Sequence, residues 1–576
     1  MLAGVTMPPV RGVALVFLPA LCVLLYSSAA AQEPAEAAQE EDNAGVSSTF
    51  TNDFELRYWV IPDRLAGHED RDVLNYFEQV NRFTAYVDTQ GGWQAFVQVD
   101  QVMLTANAYK LDGVYTKERP LLAPDVAWFG PERWDFYANP EKLYLSRKTG
   151  NLNIRIGDFY EAFGYGAALN VNRNVDIDID TSIQGARVFW QPGAWDVTAL
   201  AGQLNRQQVF QDNPNINLRG DFRHFVAGAQ VKRYGLGPLN LGAHAVTYNF
   251  VSEAGMLAGA RELAQPMDAV VAGASAELAA SFDMNAEFDV FTHPSGQLND
   301  APGYLGYGSL AFYVGATTWQ LEGKRYKDTE RVNSVVTPEL YEVAIAPTLE
   351  YERAITEDSS ATVNSNDIWG SRLRMDWAAV PGRVVPYASF AAFRDLDTAG
   401  LHFNTVPETV VHPMAGVEAV GEGVNVLLNT GYRVDMRDGG GEADRQLHGD
   451  IDFKFPVTNG THADLNAAIE YYQWGDNGVL QQDDYVEMET SVTFATHHPE
   501  LAFIWYTDVT TNPLVDSTGN LADLLYGAFE VQYKPANAWT LKAFYGAYKA
   551  GIRCSGGQCR QLPGFEGGRV SVVGTF

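Results

Sequence analysis

Positive charge is scarce in this chain: 40 lysines and arginines stand against 71 acids, a formal net charge of −31 over 576 residues. Binding a phosphate backbone needs a concentrated basic surface, so nucleic acid is excluded as a partner. Cysteine is scarcer still. Three cysteines supply neither a disulfide-rich scaffold nor a multi-cysteine zinc or iron–sulfur centre. The apolar run from Val13 to Tyr26 is about fourteen residues and carries Pro19, short of the roughly 20 that a spanning helix needs. There is no Gly-x-Ser-x-Gly elbow, no His-Glu-x-x-His helix and no phosphate-binding loop. The expectation is a non-enzyme without a cofactor. An outer-membrane hydrolase stays as a minor alternative, because Ser, His and acid partners need not be adjacent in sequence.

The first 31 residues read as a secretory signal: one positive charge at Arg11, the apolar run, then Ser27-Ser28-Ala29-Ala30-Ala31. A membrane anchor is the competing reading. A lipoprotein signal would need a small residue before Cys22, where Leu21 stands. Residues 32–48 are expected to form a disordered acidic tail, since 32–45 hold five acids and no aromatic group and cannot bury enough surface to order themselves.

What the chain has in quantity is aromatic residues, at 12%, and glycine, at 53 residues, a composition suited to many short strands joined by turns. Beyond Thr51, segments of about ten residues alternate apolar and polar side chains, the period of a strand with two unlike faces. Phe54, Leu56, Tyr58 and Val60 oppose Glu55 and Arg57; Leu447, Ile451, Phe453 and Phe455 oppose His448, Asp450, Asp452 and Lys454. Eleven short connections rich in turn formers, such as 89–92, 149–151, 192–194 and 535–538, alternate with twelve longer ones, such as 104–140, 159–182 and 329–366. That count gives 24 strands, and strict short–long alternation is what a meander makes when its tight turns all lie at one end. The expected fold is all-β: one antiparallel transmembrane β-barrel over 49–576 with about 24 strands (22–26), short periplasmic turns and long extracellular loops.

Six of the twelve tryptophans, Trp93, Trp190, Trp195, Trp319, Trp377 and Trp539, lie close to short turns. One rim of an interfacial belt would place them there, and core packing beside hairpins is the alternative. The last strand, Gly568 to Phe576, puts Val570, Val572, Gly574 and Phe576 on one face. In this it resembles the closing strand of bacterial outer-membrane β-barrels, which ends in Phe and is read by the barrel-insertion machinery. The resemblance implies an outer-membrane location in a diderm bacterium, with lipid and that machinery as partners; Gly574 departs from it, an aromatic being common there. A second stretch, Gly157-Asp158-Phe159-Tyr160-Glu161-Ala162-Phe163-Gly164-Tyr165-Gly166, followed by Asp178, Asp180 and Gly185-Ala186-Arg187-Val188, is similar to a segment of a family of large porin-like outer-membrane barrels with no assigned function. No catalytic residues come with that resemblance.

Asp176, Asp178 and Asp180 alternate with Ile177 and Ile179 and could gather a calcium ion. An acidic row facing a lumen or a loop is the favoured reading, because no Gly stands at the sixth place and Arg187 stands at the twelfth. Cys554 and Cys559 share a short loop, and in an oxidising compartment a disulfide is expected. His497 and His498 read as solvated turn residues. Residues 104–140 carry Tyr115, Arg119, Trp128, Arg133 and Trp134 and could fold inward as a constriction or pack on the rim. Tyr341–Ile345 could add a hairpin and raise the count to 26.

The leading functional expectation is a porin-like channel for passive diffusion of small polar solutes. The candidates for its lumen face are Arg372, Arg374, Asp376, Asp450, Asp452, Lys454, Asp464, Glu470, Glu487 and Glu489, with acids in excess and hence a mild cation preference. The alternative is a plugged barrel whose loops hold a ligand or a surface or periplasmic protein.

Overall fold

In a computed structural model the described residues are 45–61, 74–106, 134–174, 179–205, 225–250, 267–292, 302–327, 367–396, 408–437, 443–473, 484–497, 499–511, 525–548, 551–555, 558–562 and 565–576. They form an all-β molecule whose main sheet has 24 strands. Each wall strand pairs antiparallel with the next wall strand in the chain, and the first, Val46–Ile61, closes the ring against the last, Phe565–Thr575. Closure removes the sheet edge, so every wall strand has a neighbour on both sides. The first strand begins at Val46, inside the segment expected to be tail. Tyr341–Ile345 lie outside the described residues, and the wall among the described residues has 24 strands rather than 26.

The eleven short turns sit where turn-forming residues predicted them, for example between Leu74–Thr89 and Trp93–Ala106 and between Leu525–Ala536 and Trp539–Tyr548. Antiparallel order puts all of them at one end. Gly92, Gly150, Gly193 and Gly315 have positive φ there, a conformation that costs glycine little and other residues more.

Residues directly opposite in an antiparallel ladder share a face, so the register sorts the wall into two surfaces. One is apolar and open. Leu321, Leu373 and Phe390 form a cross-strand row on it, and Leu428 pairs with Ile451 on the same face, where Ile469 stands opposite Gly449; all six are exposed by about two fifths or more. The other face carries the buried polar groups: Arg57, Gln230, His244, Asp289, Glu322, His448 and Glu470. In a closed wall the buried face is the inner one. This is the reverse of a water-soluble protein, where an open apolar surface of such extent would be unstable. Trp93, Trp190, Trp195 and Trp377 are exposed beside the turns at one rim.

Phe576 completes the closure through its backbone, its N–H donating to Phe50 (2.7 Å) and its carbonyl accepting from Phe50 (2.9 Å). The ring meets Trp539 edge-on at 5.3 Å. A Cβ on Gly574 would stand 2.9 Å from the Trp539 ring, so the missing aromatic side chain of residue 574 is replaced in space by the indole of the adjoining strand.

Candidate functional site

One long connection turns into the barrel. The strand Leu152–Phe159 parts from one wall neighbour at Gly157, whose φ of 105° and contact with the Leu143 carbonyl exclude a side chain, while its ladder with Ser182–Trp190 runs on to Phe159. Its ladder with Trp134–Thr149 ends at the pair Tyr144↔Gly157. From there the side chain of Asp158 replaces the ladder: it accepts from the Leu143 N–H (2.8 Å), the Ser182 hydroxyl (2.9 Å) and the Asn205 amide (2.8 Å). A buried carboxylate with three donors is well satisfied. It joins three wall strands at the point of departure.

The segment that follows folds into two short ribbons, Glu161–Phe163 with Leu169–Val171 and Arg173–Asn174 with Ile179–Asp180. Phe159, Phe163, Ala168, Leu169 and Val171 are almost wholly buried in one cluster with wall residues such as Leu200, Val246, Tyr248, Val271, Phe291 and Tyr326. These wall side chains belong to the inner face, so the apolar core of this molecule lies within the ring, beneath the segment. Burying a side chain of this size contributes roughly 1.5–3 kcal/mol, enough in sum to hold the segment against the wall.

Polar contacts fix its register. The Gly164 N–H donates to Gln230 Oε1 (3.0 Å), the Tyr165 N–H to Glu287 Oε2 and the Tyr248 hydroxyl to the Ala168 carbonyl. Gly164 has φ of 60°, and a Cβ there would overlap the Glu287 carboxylate. Glu161 pairs with Arg187. At the far end Asp180, buried, accepts from Lys142 and the Tyr160 hydroxyl, with Arg173 Nε at 3.9 Å. Burial, then the Asp180 charge, raises the Tyr160 hydroxyl well above its ordinary value. Burial, with Glu277 and Glu287 nearby, pushes Tyr165 up to about 12. Both phenols are therefore neutral near neutral pH.

Beneath the turn lies a second cluster. His244 Nε2 is 2.6 Å from Asp289 Oδ1 and 3.7 Å from Glu287 Oε1, and all three side chains are buried.

The residues expected from sequence to line a lumen share the inner face by register. Arg372 pairs with Glu322 (Nε to Oε2, 2.7 Å), and Arg374 pairs with Asp376 (2.7 Å) while lying 4.3 Å over the Tyr387 ring. Lys454 stands opposite Asp464, with Asp452 opposite Asn466 and Asp450 opposite Ala468. Glu470 accepts from Gln446 (2.9 Å) and Tyr472 and faces Glu487, which accepts from Thr510 (3.0 Å); Glu489 is opposite Asp508. The register thus brings Lys454 beside Asp464 and Glu470 beside Glu487, and leaves Arg372 and Arg374 on a distant part of the wall.

Of the acidic row, Asp176 and Asp178 lie outside the described residues, and Asp180 is taken up by Lys142 and Tyr160. Cys554 and Cys559 are opposite one another in the hairpin Gly551–Ser555 with Gln558–Leu562. Tyr115, Arg119, Trp128 and Arg133 lie outside the described residues, and Trp134 begins a wall strand. The element found packed against the inner wall is instead the connection after Phe159, which short–long counting treats as one more external loop. A signal for it was present: a loop of Phe159, Tyr160, Phe163 and Tyr165 with Gly164 and Gly166 has more apolar mass than a solvated loop needs.

A family described as "Family of unknown function (DUF6029)" matches residues 122–239, a range that contains Gly157–Gly166. No curated protein matches the sequence. Among solved structures, the chain is similar to the translocation pore of the P pilus usher PapC (9% identity, TM-score 0.40, covering 92% of this chain and 99% of that one). It is similar also to the outer membrane protein OpdK from Pseudomonas aeruginosa (9%, 0.35, 70% and 97%) and to the siderophore receptor PirA from Pseudomonas aeruginosa (9%, 0.42, 93% and 82%).

Proposed function

We propose that this protein is an outer-membrane channel of a diderm bacterium, passing small polar solutes by diffusion through a barrel narrowed by the segment Tyr160–Thr181. The observation that carries the reading is the two-sided wall: a closed 24-strand sheet with buried polar side chains on its inner face and large apolar side chains such as Leu321, Phe390 and Ile469 open on its outer face. Lipid is the solvent that suits such a surface, and closed barrels are the β-architecture it accepts. The short turns then lie in the periplasm and the long connections outside, with Phe576 as the residue read at insertion. Sixteen to eighteen strands already leave an aqueous channel, so a ring of 24 has room for water beside the folded segment.

The apolar cluster runs along the inner face from Ser182–Trp190 to Glu408–Val420, and the segment's own contacts on that side include Arg187, Gln230, Tyr248, Glu287 and Tyr307. On the strands from Asp444–Thr458 to Asp484–His497 the inner face presents Asp450, Asp452, Asp464, Glu487 and Glu489 with Lys454. That acidic side is the proposed solute path, and it favours cations. The same inward fold is what a partial plug would have, which keeps a surface-binding barrel as the second reading. Planar-bilayer recording of purified protein separates them: discrete conductance steps with a reversal potential on the cation side in a KCl gradient support the channel, and a sealed barrel contradicts it.

A further inference from the structure

We propose that His244, Glu287 and Asp289 form a site for a zinc-class divalent ion on the inner wall, beneath the turn at Gly164 and Tyr165. The three side chains come from the strands Leu239–Phe250 and Phe282–Thr292. Glu287 and Asp289 are two apart, so they share a face, and the register places His244, Gly273 and Asp289 in one row across three strands. Gly273 is what lets the outer two meet: a Cβ there would overlap Asp289 Oδ1 and stand 2.6 Å from His244 Nε2. Gly164 leaves the corresponding space above Glu287. Two glycines thus hollow out a place where one imidazole and two carboxylates converge within 4.8 Å.

His244 Nε2 meets Asp289 Oδ1 and Tyr165 N–H holds Glu287 Oε2, but half of the polar side-chain atoms there are left unsatisfied. The side chains are 0%, 1% and 0% exposed for His244, Glu287 and Asp289. Among the described residues His244 Nδ1, Glu287 Oε1 and Asp289 Oδ2 have no hydrogen-bond partner. Glu287 Oε1, without a partner, is also the oxygen that faces His244 Nε2 at 3.7 Å, while its other oxygen is held by the Tyr165 N–H. Buried carboxylates so close together need either a shared proton or a cation. An N/O set with one imidazole suits zinc, iron(II) or manganese(II) better than calcium or magnesium. Donors about 2.0–2.1 Å from a tetrahedral zinc lie roughly 3.3 Å apart. The separations of 2.6 and 3.7 Å bracket that figure. Three protein donors leave a fourth place for water, and the Tyr165 amide orients one donor from outside. The bound ion would tie the folded segment to the wall.

The test uses the full chain in detergent, stripped with a chelator, reloaded with zinc alone and desalted, with metal read by mass spectrometry. About one zinc per chain is expected, falling at least tenfold in H244Q and in D289N and unchanged in H412Q, which alters a separate buried pair, His412 with His448 (Nε2 to Nε2, 2.8 Å). Cobalt(II) in place of zinc should give d–d bands of a low-coordinate site in the wild type and not in H244Q. A wild type that retains no zinc and shows no such bands overturns the site even if the variants fail to fold. Equal retention by H244Q, or loss in H412Q, overturns it too. Because wild-type metal content does not depend on conductance, this outcome is separable from that of the channel reading.

Discussion

Asp158 and Tyr165 show how single residues hold the inward turn. Asp158 accepts three hydrogen bonds from three strands while buried. Replacing it by alanine leaves those donors without a charged acceptor, a loss of about 1.5–3 kcal/mol for each bond to a charged group. D158A should lower the temperature at which the folded band on an unheated gel converts to the unfolded one; an unchanged transition would contradict its role. Tyr165 is neutral in the folded segment, with a pKa of about 12 against an ordinary 10. The sign follows from linkage: a raised acid pKa means the released state ionises first, so docking is fully favoured below pH 10 and weakens as pH rises towards 12. Tyr160 is raised as well. Y165F should therefore postpone any alkaline loosening of the segment, seen as protease cleavage within residues 160–181 between pH 10 and 12. Identical cleavage in wild type and Y165F would sink this assignment.

At the scale of elements, the wall was readable and the segment inside it was not. Alternation has a period of two and a tight turn needs four residues, so strands such as Asp444–Thr458 and Thr461–Gln473 announce themselves within a dozen positions. The docking of Gly164 and Tyr165 depends on Gln230 and Glu287, 66 and 122 residues further on, and no local pattern encodes such distances. His244 meets Asp289 across 45 residues for the same reason. What could be read locally was half of each: Glu287 and Asp289 on one face of a strand, and an aromatic loop with two glycines. Phe163 is fully buried against the wall, and its truncation to Ala typically costs 3–5 kcal/mol in a packed core. F163A should release the segment while the 24 wall strands persist. The expected result is faster cleavage of the 160–181 region with an unchanged heat-shifted gel band. Loss of the barrel itself would mean that the segment is needed to close the wall.

For the whole molecule, acidity and apolarity trade places relative to a soluble protein. A net charge of −31 first excludes nucleic acid, and the register then puts part of that charge on the inner face, away from the open apolar surface. Neutralising Asp450 and Asp464 together (D450N with D464N) should move the reversal potential in a KCl gradient towards zero, because two of the inner-face carboxylates no longer attract potassium; a reversal potential that does not move would place the selectivity elsewhere. The proposed channel needs water in a barrel that Tyr160–Thr181 narrows. Single-channel conductance of the wild type beside a variant in which residues 161–179 are replaced by a short Gly/Ser linker tests it most directly. Discrete steps are expected in the wild type and larger steps in the variant, both from a heat-shifting barrel. Equal conductance in the two, or none in either, would contradict the proposed channel.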